Sequence, residues 1–164
     1  MKNNIKMVAV DIDGTFVRPD YTYDVLRFKR ILSHMNEVGC RFVVASGNQY
    51  YQLKSFFDDF QDELTYISEN GALIIENKQD IFHNEIPYEK ELVFTADMSK
   101  ETVNDVIDVC REYPEILNVL CGVESAYCQR GTVSQEFYDL TSIYYHHLQW
   151  VDDFKEVKDQ ILKF

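Results

Sequence analysis

Asp11 and Asp13 are two carboxylates separated by one apolar residue and followed at once by Gly14 and Thr15. Carboxylates packed this closely repel, and burying both demands a cation or a shared proton. A divalent metal is the natural compensation. Such a pair can divide labour, one carboxylate attacking an electrophile while the other gives and takes a proton. The same residue types also make an ordinary Asx turn at a strand end. A second cluster bears on the choice. Ser46-Gly47-Asn48 offers a hydroxyl and backbone N–H groups, which suit a phosphate oxygen near a helix N-terminus. It too has a plainer reading, as a helix cap.

These residues need elements to hold them. Ile5, Met7, Val8, Ala9 and Val10 form an apolar run that reads as a buried parallel strand leading into Asp11. Arg41–Ala45 reads as a second strand leading into Ser46. Between them, Val25, Phe28, Ile31, Leu32 and Met35 recur at helical spacing, which predicts a helix over 23–37 closed by Gly39. Such a strand–helix–strand unit is nearly always right-handed. The two strand tips then lie side by side, at the carboxyl ends where open α/β sheets bind ligands. The Ser46 hydroxyl and the amides of Gly47 and Asn48 are expected to face the same crevice as Asp11.

The remaining pattern continues the α/β theme. A second helix is expected over 49–60, with Tyr50, Leu53, Phe56, Phe57 and Phe60 inside. Leu64–Ser68 reads as a third strand and Glu69-Asn70-Gly71 as a turn. Ala72–Ile75 and Asp80–His83 are expected to form a hairpin around Asn77-Lys78. A second domain is expected from Asn84-Glu85-Ile86-Pro87 onward. It holds helices over 99–113, stopped by Pro114, and over 134–145, with strands over 116–121, 125–129, 149–151 and 161–164. The fold class is therefore α/β. A Rossmann-like core over 1–83, with three parallel strands and a hairpin, is followed by a partial α+β domain over 84–164. Phe137, Tyr138, Tyr144, Tyr145 and Trp150 would form either the core of that domain or a binding surface on it.

Three stretches carry a resemblance: VAVDIDGTF at 8–16, VVASGN at 43–48 and ISENGALI at 67–74. Together they resemble the N-terminal part of a haloacid dehalogenase superfamily phosphatase of the Cof type, a HAD-type core with an α/β cap. Phe16 stands where Leu is commonest. The resemblance implies that Asp11 attacks phosphorus to form an aspartyl-phosphate, and that Asp13 protonates the leaving oxygen and then activates water. It implies Mg²⁺ held by the Asp11 carboxylate and the Asp13 backbone carbonyl. Thr15 would orient Asp13 or the turn, and Ser46 would bind a phosphoryl oxygen. Gly14, Gly47 and Asn48 would add donors. The turn at Glu69–Gly71 faces the active-site region in this family, which makes Asn70 a further candidate for ligand contact. The implied substrates are small phosphorylated metabolites such as sugar phosphates.

The resemblance also sets an expectation of incompleteness. The family's later motifs are a Lys beside the phosphate and an acidic GDxxND-like loop, and no Gly-Asp dipeptide occurs in the 164 residues. Val151-Asp152-Asp153 lacks the glycine, and Lys155, Lys158 and Lys163 fall in the cap. A truncated chain, weak or inactive alone, is expected. Its first strand, central in the complete fold, would become an exposed edge prone to self-association. Two other readings compete with catalysis: a module that accepts a phosphoryl group on Asp11 without turnover, and a non-catalytic remnant of the fold.

Composition narrows the partners. The apolar fraction is 46%, enough for a core, and the net charge is −12, from 16 basic against 28 acidic residues. No Lys/Arg cluster interleaves with aromatics, which argues against nucleic acid. A negative field also disfavours small phosphates unless a metal compensates it locally. The opening MKNNIKMVAV has too short an apolar region for a leader, and no run reaches a membrane span, so a cytoplasmic protein is expected. Cys40, Cys110, Cys121 and Cys128 are scattered without a CxxC pair and read as reduced thiols. His146 and His147 are adjacent, which on a strand turns them to opposite faces and disfavours one shared ion. His34 and His83 have no ligand partners at useful spacing.

Overall fold

β1 (Met7–Asp11) runs parallel to β2 (Arg41–Ala45), with Met7 opposite Arg41 and Asp11 opposite Ala45. The computed structural model that shows this describes residues 5–60, 63–78 and 89–164. β3 (Thr65–Ser68) pairs in parallel with β2, and β4 (Leu73–Lys78) antiparallel with β3. With β5 (Glu89–Thr95) the sheet order is β1-β2-β3-β4-β5. Asn77 and Lys78 therefore extend a strand instead of forming the expected turn. The hairpin forms one step earlier, around Glu69–Ala72. The expected partner strand at 80–83, the histidine at 83 and the expected domain boundary at 84–87 lie outside the described residues.

Helix α1 (Val25–Glu37) begins at Asp24, whose carboxylate accepts from the Arg27 amide at 2.9 Å. Beyond its C-terminus Gly39 adopts φ 67°. Phe28 and Leu32 are buried, whereas Val25 and Ile31 remain exposed. The Phe28 ring packs edge-on to Phe42 with centroids 5.0 Å apart. Helix α2 (Tyr50–Ser55) is half its expected length. After Ser55 the hydrogen bonds tighten to the i−3 pattern, from Phe56 to Leu53, Phe57 to Lys54 and Phe60 to Phe57. That tightening turns Phe57 and Phe60 into the core while Phe56 stays half-buried.

One face of the first sheet carries Phe42, Val44, Tyr66 and Ile75, all buried. Phe16 seats the turn after β1 in this core, with ring centroids 5.1 Å from Phe28, 5.6 Å from Phe42 and 5.4 Å from Phe57. β1 itself is not the buried strand expected from its apolar run. Among the described residues it is the edge of the sheet, paired on one side only, with Met7 56% and Val8 38% exposed. Arg41 and Glu76 pair across the sheet.

The chain divides into units Met1–Phe94 and Thr95–Phe164. In the second, α3 (Lys100–Glu112) starts at Ser99, whose hydroxyl accepts from the Thr102 amide at 3.1 Å. Its inner residues Val103 and Ile107 pack with Leu120, Tyr127, Phe154 and Ile161. Burying side chains of this size contributes about 1.5–3 kcal/mol each. The sheet order here is β8-β7-β6-β9, from β6 (Leu120–Gly122), β7 (Ala126–Gln129), β8 (Leu148–Val151) and β9 (Ile161–Lys163). α4 (Gln135–Thr141), capped by Ser134, links β7 to the parallel β8. The aromatic set splits: Trp150 stacks on Tyr138 at 4.5 Å and lies 5.5 Å from the Arg130 guanidinium, while Tyr144 is exposed. His146 and His147 are both exposed, just ahead of β8.

Asp159 ties this second unit together. Its Oδ2 accepts from the amides of Glu124 and Ser125 and from the Tyr127 hydroxyl, at 3.0, 3.3 and 2.9 Å. A Cβ on Gly122 would lie 2.2 Å from that same oxygen. The side chain is pinned and cannot retreat. Gly122→Ala is therefore expected to destabilise the chain by about 1–3 kcal/mol. In denaturant titrations, Gly122→Ala/Asp159→Ala should cost less than the two single variants added together, because the clash is then gone. Simple additivity would contradict this packing.

All four cysteines are free thiols. Burial pushes the Cys128 thiol up to about 11. A raised value keeps the thiol protonated, so at pH 8 its thiolate population should be roughly 100-fold below that of an ordinary cysteine. Mass spectrometry after iodoacetamide should find half-buried Cys110 modified well before Cys128. Equal rates in the native protein would refute this.

Candidate active site

The turn after β1 is built around Ile12. Its side chain is fully buried, and its carbonyl accepts from the amides of Thr15, Phe16 and Val17 at 3.3, 3.1 and 3.1 Å. This pivot holds Asp11 and Asp13 on the solvent side of a fixed loop, and both are exposed. Gly14 follows at φ 71°, a conformation that side chains rarely adopt, so the glycine is what lets the chain reverse here.

The two carboxylates have different partners. Thr15 Oγ1 donates to Asp11 Oδ2 at 3.0 Å. Of the two expected partners, Asp13 or the turn, the Thr15 amide engages the turn through the Ile12 carbonyl, while its hydroxyl holds Asp11 and, among the described residues, makes no bond to Asp13. Asn48 Nδ2 donates to Asp13 Oδ2 at 2.8 Å and joins the β2 loop to the β1 loop. Among the described residues each carboxylate keeps its Oδ1 without a protein partner, and no Lys or Arg pairs with either.

The Ser46-Gly47-Asn48 loop ends directly before Gln49, the residue that opens α2. The N-terminal cap of α2 is Gln49, and no side chain caps it, so the plainer reading of this cluster as a helix cap does not hold. The Asn48 amide donates instead to Ser46 Oγ at 3.2 Å. That N–H, expected to face a phosphate, is already engaged, and it is the Asn48 side chain that reaches across to Asp13. The spacing of the motifs gave no warning of this exchange of roles.

A third strand end joins the other two. The Ser46 amide donates to the Ile67 carbonyl at 3.0 Å, and the Glu69 amide to the Asn48 carbonyl at 3.1 Å. The sequence pointed to the Asn-Gly turn chiefly as a turn. In the structure it also brings Asn70 against the Ser46–Asn48 loop.

The oxygen donors here suit a hard cation. Mg²⁺ is commonly bound by one or two carboxylates, with water and substrate phosphate completing its shell. The Asp11 carboxylate is exposed, and among the described residues no backbone amide donates to the Asp13 carbonyl. Both groups named for Mg²⁺ are thus compatible with it. No cluster of three or more His, Cys, Asp or Glu side chains suited to a metal occurs among the described residues.

The sequence profile of the haloacid dehalogenase-like hydrolases matches residues 8–164. The chain belongs to this family. As a haloacid dehalogenase-like hydrolase it is 36% identical over 161 residues to the 5-amino-6-(5-phospho-D-ribitylamino)uracil phosphatase YbjI of Escherichia coli K12. That match covers 98% of this chain and 55% of the relative. SMU.1108c from Streptococcus mutans UA159 superposes with a TM-score of 0.79 at 32% identity, over 96% of this chain and 55% of that one. A haloacid dehalogenase-like hydrolase from Bacillus subtilis shares the fold, with a TM-score of 0.69 at 16% identity, over 96% of this chain and 59% of that one. The chain therefore spans about half the length of these relatives. Among its described residues no helix is long and apolar enough to cross a membrane.

Proposed function

We propose that this chain carries the nucleophile half of a phosphate monoester hydrolase site. The observation that supports it best is the unequal support of two adjacent carboxylates, Asp11 by Thr15 and Asp13 by Asn48, at the tips of neighbouring strands. Asp11 attacks the phosphorus through Oδ1, the oxygen that Thr15 leaves unbonded. A new O–P bond forms, the ester O–P bond breaks, and the leaving oxygen takes its proton from Asp13. Asp13, now a carboxylate, removes a proton from water. That water attacks the aspartyl-phosphate, releasing inorganic phosphate and restoring Asp11. Ser46 Oγ, Gly14 and Gly47 are the proposed donors to the phosphoryl oxygens.

Mg²⁺ held by the Asp11 carboxylate and the Asp13 carbonyl would neutralise phosphate charge, so that one anion can approach another. The acidic chain, at net charge −12, supports this need. As substrates we propose small phosphate esters of sugars or sugar alcohols. The name of the Escherichia coli relative, which carries a phosphoribityl group, supports that class. Turnover by this chain alone is proposed to be weak, because among the described residues no basic side chain pairs with the site, and charge stabilisation supplies much of the catalysis of phosphoryl transfer.

Hydrolysis of p-nitrophenyl phosphate and a sugar-phosphate panel should require Mg²⁺, fall to background in EDTA and vanish in Asp11→Asn. Asp13→Asn should lose about 10²–10⁴-fold with sugar phosphates. Turnover that survives Asp11→Asn would reject the mechanism. A stable acyl-phosphate without release of phosphate would favour the phospho-accepting module.

A further inference from the structure

Glu69, Asn70 and Gly71 lie one after another in the left-handed region, at φ 52°, 57° and 91°. Glycine and asparagine tolerate this conformation, but glutamate does so rarely. Three such residues in sequence persist only where the surroundings over-determine them. Here the surroundings are the Ser46–Asn48 loop, joined to the turn by the Glu69 and Ser46 amides at 3.1 and 3.0 Å. The fit is also steric. A Cβ on Gly47 would lie 2.5 Å from Asn70 Oδ1, closer than any real side chain comes. Gly47 and Asn70 are therefore matched in shape. One residue further on, Asn48 reaches Asp13 at 2.8 Å.

We propose that Asn70 is a positioning residue of this site. Its carboxamide, lodged where Gly47 lacks a side chain, sets the place of the loop and so the grip of Asn48 on Asp13. The proposal rests on the acid/base role given to Asp13 above. A turn alone would require only a residue at ease with positive φ, and glycine meets that need at least as well as asparagine. A wedge requires the carboxamide. Asn70→Gly therefore keeps the backbone and removes the wedge, while Asn70→Asp keeps an oxygen against Gly47.

Two measurements on the purified chain test this. The first follows the Asn48 side-chain NH₂ pair by ¹H–¹⁵N NMR, without substrate. It should move toward the position of a free carboxamide in Asn70→Gly and stay in place in Asn70→Asp. The second compares kcat/KM for p-nitrophenyl phosphate and for an alkyl phosphate. This constant reports only the steps through phosphoryl transfer, and only the alkyl leaving group depends strongly on protonation by Asp13. Asn70→Gly should lower the alkyl value about tenfold or more and the aryl value less than about threefold.

An unmoved Asn48 resonance overturns the proposal, and so does an equal fall, or no fall, for both esters. If the wild-type chain turns over neither ester, the proposal that this chain turns over alone fails, and the Asn48 resonance alone decides whether Asn70 positions the loop.

Discussion

The register of β1 on β2 is the constraint on which the site depends. With Asp11 opposite Ala45, the two chains leave the sheet at the same level. Ile12–Thr15 and Ser46–Asn48 then emerge side by side, close enough for Asn48 to bond Asp13. Side chains alternate along a strand, so a slip of one residue would turn Asp11 to the opposite face and separate the loops. What prevents the slip is burial on the β2 side. Phe42 packs against Phe28 of α1, Val44 is fully buried, and Phe16 fastens the far end of the turn after β1 to the same aromatic cluster. The cluster is thus a clamp on register as well as a core.

Within that frame the two aspartates are made unequal by their neighbours. Asp11 is steadied by a hydroxyl four residues along its own loop, and Asp13 by an amide from another strand. Two carboxylates with the same intrinsic chemistry take separate roles only when their environments differ. Here the difference is geometric. One is fixed within its own turn, and the other follows whatever moves the β2 loop.

The sequence made the parallel pair, α1 and its cap region, and the second unit's first helix legible, because each had a clear period and a clear stop. Gly39 and Pro114, the expected stops, lie just beyond helix ends, whereas the Asp24 cap falls inside the helix expected over 23–37. It was less informative where tertiary packing overrode local pattern. The spacing of Tyr50, Leu53, Phe56, Phe57 and Phe60 suits a longer helix, yet the chain tightens after Ser55 to bury Phe57 and Phe60. Asn77-Lys78 has turn chemistry, but β4 runs through it. The apolar run of β1 predicts burial that one-sided pairing does not supply. At the site, the parallel pairing of β1 and β2 sets the strand ends that carry Asp11 and Ser46 side by side. The reach of the Asn48 side chain and the approach of Asn70 to Gly47 depend on loop conformations that have no sequence period.

Trp150 is the chain's single tryptophan and stands in the second unit, stacked on the Tyr138 ring and 5.5 Å from the Arg130 guanidinium. The first unit buries tyrosine and phenylalanine but no indole. Light absorbed at the red edge of the protein band is therefore emitted by residues 95–164 alone. The molecule carries an optical label of natural origin, and it stands in the unit that does not hold the aspartates.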